Sequence, residues 1–214
     1  MKNTSIAGVI IPDSKLAQAA TELVRDTESD LLFHHSTRVY LFGALAGLRQ
    51  NLKFDSELLY IGAMFHDMGL TKEYSSPTER FEVDSANAAR DFLRQHGIDE
   101  ASIEVVWDAI ALHTTPGIPK HKKPEVALVT AGVDMDVLGI GYLDVSDAQR
   151  EAIVQAHPRG DHFKEQIIHA FNDGFCHKPE TTWGTMNDDV LALLDPKFKR
   201  ANFCSIILNS AWRE

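Results

Sequence analysis

Leu58-Leu59-Tyr60-Ile61-Gly62-Ala63-Met64-Phe65-His66-Asp67-Met68-Gly69-Leu70 is the stretch on which the fold turns. Asp55 is placed to cap a helix, and the strongly apolar run from Leu58 to Phe65 marks that helix as core. It must stop near Gly69. A histidine and an aspartate therefore stand side by side at the buried end of a core helix. A buried carboxylate without a partner is very unfavourable, and a divalent ion removes that cost. Imidazole nitrogen with carboxylate oxygen suits Zn, Fe, Mn or Ni better than Ca.

Outward from this stretch the periodicity is helical almost throughout. Asp13 or Ser14 caps a helix to about Thr27, with Leu16, Ala19, Ala20 and Leu23 on one face. A second helix runs from about Leu32 to Leu52. After the polar, Pro77-bearing loop from Thr71 to Phe81, a helix spans about Val83 to Gln95 and stops at Gly97. Asp99 caps the next, which carries Val105, Val106, Ala109, Ile110 and Leu112. A Pro/Gly loop, Thr115 to Pro124, precedes a helix from Glu125 to about Leu138. Ser146, with Gln149 three residues later, opens a short helix to His157. Further helices are expected after Asp161 (Phe163 to Phe175), from Asn187-Asp188 to Leu194, and from about Ala201 to Trp212. No two-residue alternation and no hairpin signal stand out, so the expectation is all-α, a bundle of about nine to eleven helices. No linker interrupts the chain, and one domain over 1–214 is expected, with a core at about 30–140 and helices at 146–213 closing the site.

The 214 residues carry a formal net charge of −10, which argues against a phosphate-backbone partner. The short basic cluster Lys120-His121-Lys122-Lys123 reads as solvated loop. Cys176 and Cys204 make no disulfide framework. The segment Met1 to Pro12 does not read as a signal peptide, and no run approaches a membrane span. A cytoplasmic protein acting on a small molecule is the expectation, without nucleic acid or membrane as partner; a homo-oligomer is compatible with the sequence.

A His-Asp dipeptide needs partners to be a site. Upstream lies His34-His35-Ser36-Thr37-Arg38-Val39-Tyr40 at a helix start. Downstream lie Ile110-Ala111-Leu112-His113-Thr114-Thr115 and Val133-Asp134-Met135-Asp136-Val137-Leu138-Gly139. On an α-helix Asp134 and Asp136 lie about 200° apart, so only one of them can face a given ion.

The order H…HD…D on successive helices resembles the HD-domain superfamily of metal-dependent hydrolases. Four stretches are similar to its cyanamide hydratase-like branch: His35-Ser36-x-Arg38-Val39-Tyr40, Phe65-His66-Asp67-Met68-Gly69-Leu70, Arg80-Phe81-Glu82-Val83-Asp84-x-Ala86-Asn87-Ala88-Ala89-Arg90, and Asp136-Val137-Leu138-Gly139. Ala109-Ile110-Ala111-Leu112-His113-Thr114 is similar as well. The resemblance covers about residues 30 to 185. It implies one divalent ion, with Zn first and Fe, Mn or Ni as alternatives, held by His35, His66, Asp67 and Asp136. Asp136 is preferred to Asp134 because it precedes Val-Leu-Gly, and His34 is the neighbour of the ligand. No adjacent histidine pair follows the HD dipeptide, which favours one ion over two.

The expected reaction is addition of water to a nitrile-like molecule, cyanamide to urea. Asp67 would steer the water, and His113 would donate a proton or bind substrate. Glu82 and Arg80 would hold a lid or support the ligands. Lys72, five residues after Asp67, is a candidate phosphate contact, and Thr181, Thr182, Trp183 and Gly184 would close the pocket. The alternative is a mononuclear phosphohydrolase acting on a nucleotide or another phosphorylated metabolite. A phosphate substrate needs converging cations, and Arg38, Lys72 and Arg80 are those near the motifs. A third reading, a metal-stabilised module without catalysis, is disfavoured because every ligand position is filled.

Overall fold

The computed structural model describes residues 5–212 and is helical with almost no strand. Its helices are α1 (Lys15–Thr27), α2 (Asp30–Arg49), α3 (Ser56–Phe65), α4 (Phe81–Gln95), α5 (Glu100–Ala111), α6 (Pro124–Val133), α7 (Asp147–Ala156), α8 (Phe163–Phe175), α9 (Asn187–Leu194) and α10 (Phe203–Leu208). Side chains cap them where the sequence implies. Ser14 accepts from the Ala17 N–H, Asp55 from Glu57 and Leu58, Asp99 from Ser102, and Ser146 forms a reciprocal capping box with Gln149. Each cap satisfies a backbone donor that the helix itself leaves free.

Three local expectations are corrected. A hairpin exists: β1 (Ser5–Ile6) pairs antiparallel with β2 (Val9–Ile10). Its turn, Ala7-Gly8, has positive φ at both positions (54° and 86°), as a two-residue hairpin turn requires. Strands of two residues are too short to show alternation. The helix expected from Glu125 to Leu138 changes character at Asp134, and Asp134–Leu138 forms a π-helical turn ending on the left-handed Gly139. Such turns cluster at functional sites. The last helix is only Phe203–Leu208, and residues 201–212 lie exposed.

The main core gathers α1 to α6, with Tyr40, Leu41, Leu59, Ile61, Met64, Phe65, Leu93 and Ile110 all fully buried or nearly so. α2 and α6 cross at backbone contact. A Cβ on Gly132 would collide with the Val39 carbonyl, and one on Gly43 with the Leu128 carbonyl. This close crossing brings the start of α2 and the end of α6 together. A second apolar cluster, including Leu70, Phe81, Phe163, Ile167, Phe175 and Leu191, seats α8 and α9 against the turn after α3. Gly69 makes that turn possible: any side chain there would strike the Phe81 carbonyl at the start of α4. No described helix is long and apolar enough to cross a membrane.

Candidate metal centre

His66 follows α3 directly, and Asp67 opens the 3₁₀ turn Met68–Leu70; both are fully buried. His35, also fully buried, comes from the second turn of α2. The Nε2 atoms of His35 and His66 lie 3.2 Å apart. Asp67 Oδ2 lies 3.3 Å from His66 Nε2 and 3.7 Å from His35 Nε2. His113 caps the group on the other side, its Nε2 3.9 Å from Asp67 Oδ1.

The tautomers show why this arrangement wants a cation. His66 Nδ1 faces the Ala63 carbonyl at 2.7 Å, and His113 Nδ1 faces the Ile110 carbonyl at 2.6 Å. A carbonyl only accepts, so each Nδ1 carries the proton. His35 Nδ1 faces Asp136 Oδ2 at 2.7 Å, with the same result. All three rings therefore turn Nε2 inward, towards Asp67. Asp67 adds two more acceptors, and neither of its oxygens has a hydrogen-bond partner. Protonating a ring is disfavoured: burial first, then His113 and His35, holds His66 well below the usual imidazole range. Burial likewise pushes Asp67 up, against the opposing pull of His35 and His113. Donors about 2.1 Å from one ion at tetrahedral angles stand about 3.4 Å apart, close to the separations here. His35, His66 and Asp67 could hold a divalent ion.

Asp136 does not join them. It was expected as the fourth ligand, but its oxygens lie on the opposite ring nitrogen of His35 and against two guanidinium groups. Arg38 Nε donates to Oδ1 at 2.8 Å and Arg38 Nη2 to Oδ2 at 2.9 Å. Arg159 Nη1 donates to Oδ1 and to the Asp136 carbonyl. Both guanidinium groups also stack on Phe163. Burial alone would raise the Asp136 carboxyl, but the bonds from His35 and Arg38 hold it far below the usual range. Asp136 is thus the carboxylate that orients His35. Asp134, on the other side of the π turn, is half-buried and near enough to His113 for their charges to interact.

Other expected residues fall into two groups. Glu82 is buried behind His113, where it accepts from Arg80, Thr114 and Asn187. Burial pushes its carboxyl up, but Arg80 outweighs that and leaves it below the usual range. Lys72 is corrected: it lies exposed beyond the 3₁₀ turn. The buried lysine of this region is Lys178, whose Nζ donates to Asp84 Oδ2 at 2.7 Å and to the Ser76 carbonyl at 3.0 Å. His34 turns away and meets His157, and His121 is exposed. Thr182 is buried and bonded to Asp188, whereas Trp183 is 48% exposed and closes nothing tightly. Sequence reasoning missed Arg159 and Lys178, because each lies in a loop and finds its carboxylate through tertiary packing.

A cavity of about 500 Å³ reaches His113, with Thr114, Pro116, Lys122, Asp134 and Met186 on its walls. A larger one, about 930 Å³, lies behind Asp136 and Arg159; none of His35, His66 and Asp67 lines either cavity.

Residues 32–155, more than half of the chain, match the family described as HD domain. Over 79 residues the chain is 28% identical to an uncharacterized protein of Clostridium beijerinckii, which covers 37% of this chain and 50% of that protein. The chain thus spans about half the length of the curated relative it matches.

Proposed function

This chain belongs to the HD-domain family, whose members are metal-dependent hydrolases, and from that premise we propose that it adds water to a small, uncharged, nitrile-like molecule, of which cyanamide, yielding urea, is the simplest case. One observation carries the choice of substrate. The buried and half-buried cations around the centre are already committed: Arg38 and Arg159 to Asp136, Arg80 to Glu82, Lys178 to Asp84. A phosphate group would need two such cations converging on the ion. The cavity presents His113, Thr114 and the half-buried Asp134, and of its two lysines Lys122 pairs with Asp108 while Lys120 lies exposed.

His35, His66 and Asp67 would hold the ion, zinc by the chemistry of the donor set. When bound, a divalent ion supplies a water acidified from ~15.7 towards ~7, hence a nucleophile at neutral pH. The chain's own groups do the rest. Asp67 Oδ1, which has no protein donor, accepts from the attacking water and orients it. His113 Nε2, turned inward by the Nδ1 bond to the Ile110 carbonyl, takes the proton that the water sheds as its oxygen bonds to the nitrile carbon. One carbon–nitrogen π bond opens, and the nitrogen takes up a proton. The product then relaxes to the amide.

Zinc-reconstituted protein is expected to form urea from cyanamide, and His66→Ala to lose both the zinc and the turnover. Zinc-loaded protein that forms no urea but hydrolyses nucleoside monophosphates would replace this reading with a phosphohydrolase.

A further inference from the structure

Five large apolar side chains stand exposed late in the chain: Phe203, Ile206, Ile207, Leu208 and Trp212, the last two 81% and 91% exposed. None of α10's residues is buried. Phe203, Ile206 and Ile207 share one face of it, since neighbours on a helix surface recur three and four residues apart. The chain is nevertheless fastened to the body just before α10 begins. Phe198 packs into the second apolar cluster, and Arg200 Nη2 pairs with Asp189 Oδ1 at 2.6 Å. One turn along α9 from Asp189 stands Leu193, 67% exposed. Trp183 lies in the cleft that Phe198 and Ala201 also line. Exposed apolar groups of α9, of the turn before it and of α10 thus gather where the tail is fastened. A patch of this kind marks a binding surface.

The charges around it say what covers it. The cleft, about 540 Å³ in volume, carries two acids, Glu180 and Asp195, and two lysines, Lys197 and Lys199. None of the four takes part in a salt bridge among the described residues. From this we propose that the surface is the interface between two copies of this chain, the apolar face of each α10 seated on α9 and the cleft of the other. A two-fold axis sets the same patch against itself, so the lysines of one cleft meet the acids of the other. Covering the seven side chains removes on the order of 800 Å² from each copy, which is each partner's share of a standard-sized interface. An anionic lipid surface is the poorer match. It would attract Lys197, Lys199 and Arg200 but meet Glu180, Asp188, Asp189 and Asp195 beside them, on a chain of net charge −10.

Sedimentation equilibrium of the full chain tests this, in reducing buffer because Cys176 and Cys204 are exposed. A reversible dimer is expected. Ile207→Glu puts a charge on the α10 face at a residue that is already 54% exposed, so the monomer keeps its fold and its helical circular dichroism. It should raise the dissociation constant of the dimer by about 30-fold or more, as loss of a central interface residue does. Leu143→Glu, at an apolar residue 93% exposed in another loop, should leave the dimer intact. A dimer that Ile207→Glu leaves unchanged, or that Leu143→Glu splits, overturns the assignment of the surface. A monomer at every concentration overturns the proposal outright. If that monomer sediments with vesicles of equimolar phosphatidylcholine and phosphatidylserine and Ile207→Glu does not, the surface belongs to lipid and not to a second copy.

Discussion

Replacing Asp136 by Asn distinguishes an orienting carboxylate from a metal ligand, and it does so in protein without metal. Asp136 is 2% exposed and offsets the charge of Arg38, which is fully buried, and of Arg159. The amide leaves both guanidinium groups without their counter-ion and turns an N–H₂ towards donors. Removing one partner of a buried ion pair costs about 3–5 kcal/mol. For a chain of this length each kcal/mol is worth about 2–4 °C, so the melting temperature should fall by about 6–20 °C. The assay is thermal unfolding in excess chelator, with the melting temperatures compared. Because the Asp136 carboxyl is held below its unfolded value, its contribution is complete above about pH 4 and the loss should be constant from pH 6 to 8. Were Asp136 a ligand, its charge would be uncompensated in the metal-free fold, and the Asn variant would be as stable as wild type or more so. That result would refute the geometry described above. Zinc affinity supplies a second readout: weakening of about 10–100-fold is expected for a residue that orients a ligand, where removal of a ligand would cost more.

The opposite sign is expected at Asp67. Burial raises its carboxyl, so its ionisation costs stability as pH rises through that value; at pH 7 metal-free Asp67→Asn should gain about 1–3 kcal/mol in urea unfolding while zinc no longer raises its melting temperature. Burial keeps His66 neutral and lowers His157 to about 4. The unfolded chain, titrating near 6.5, then takes up protons first, so the stability of metal-free protein should be full above about pH 6.5 and fall towards pH 4, by up to about 1.4 kcal/mol per unit for each ring; unfolding midpoints at pH 7.5 and 5 check it. Lys178→Met should strand Asp84 and cost about 3–5 kcal/mol, with proteolysis of the segment after α8 as the local readout.

The helices were legible because their apolar periods and caps agree. Ser14, Asp55, Asp99 and Ser146 each bond where a helix should begin. His66-Asp67 stood out because a polar pair terminates a core helix, and the structure brings His35 to it. Asp136 lies outside that cluster for a physical reason. Its position among apolar residues shows that it faces inward, but only the packing of Arg38 and of Arg159, from the loop 23 residues later, shows what it faces. The π turn that separates it from Asp134 breaks no sequence rule either.

The charges around the centre argue for what it binds. Asp67, ionised, against one divalent ion leaves a net charge of about +1. The surrounding pairs, Asp136 with its two arginines, Arg80 with Glu82 and Lys178 with Asp84, contribute about +1 in total. The half-buried Asp134 beside His113 cancels one of these when ionised. A phosphate monoester would bring nearly two negative charges to a cavity whose own cations are the exposed Lys120 and Lys122, the latter paired with Asp108. An uncharged molecule needs no such cation and finds Thr114 and His113 to orient it. Asp134→Asn removes the negative wall and leaves the His35, His66 and Asp67 cluster in place. It should leave turnover of a neutral nitrile within a few-fold and improve any residual binding of inorganic phosphate. If phosphate binds the unaltered protein as tightly as the Asn variant, Asp134 plays no part in the selectivity.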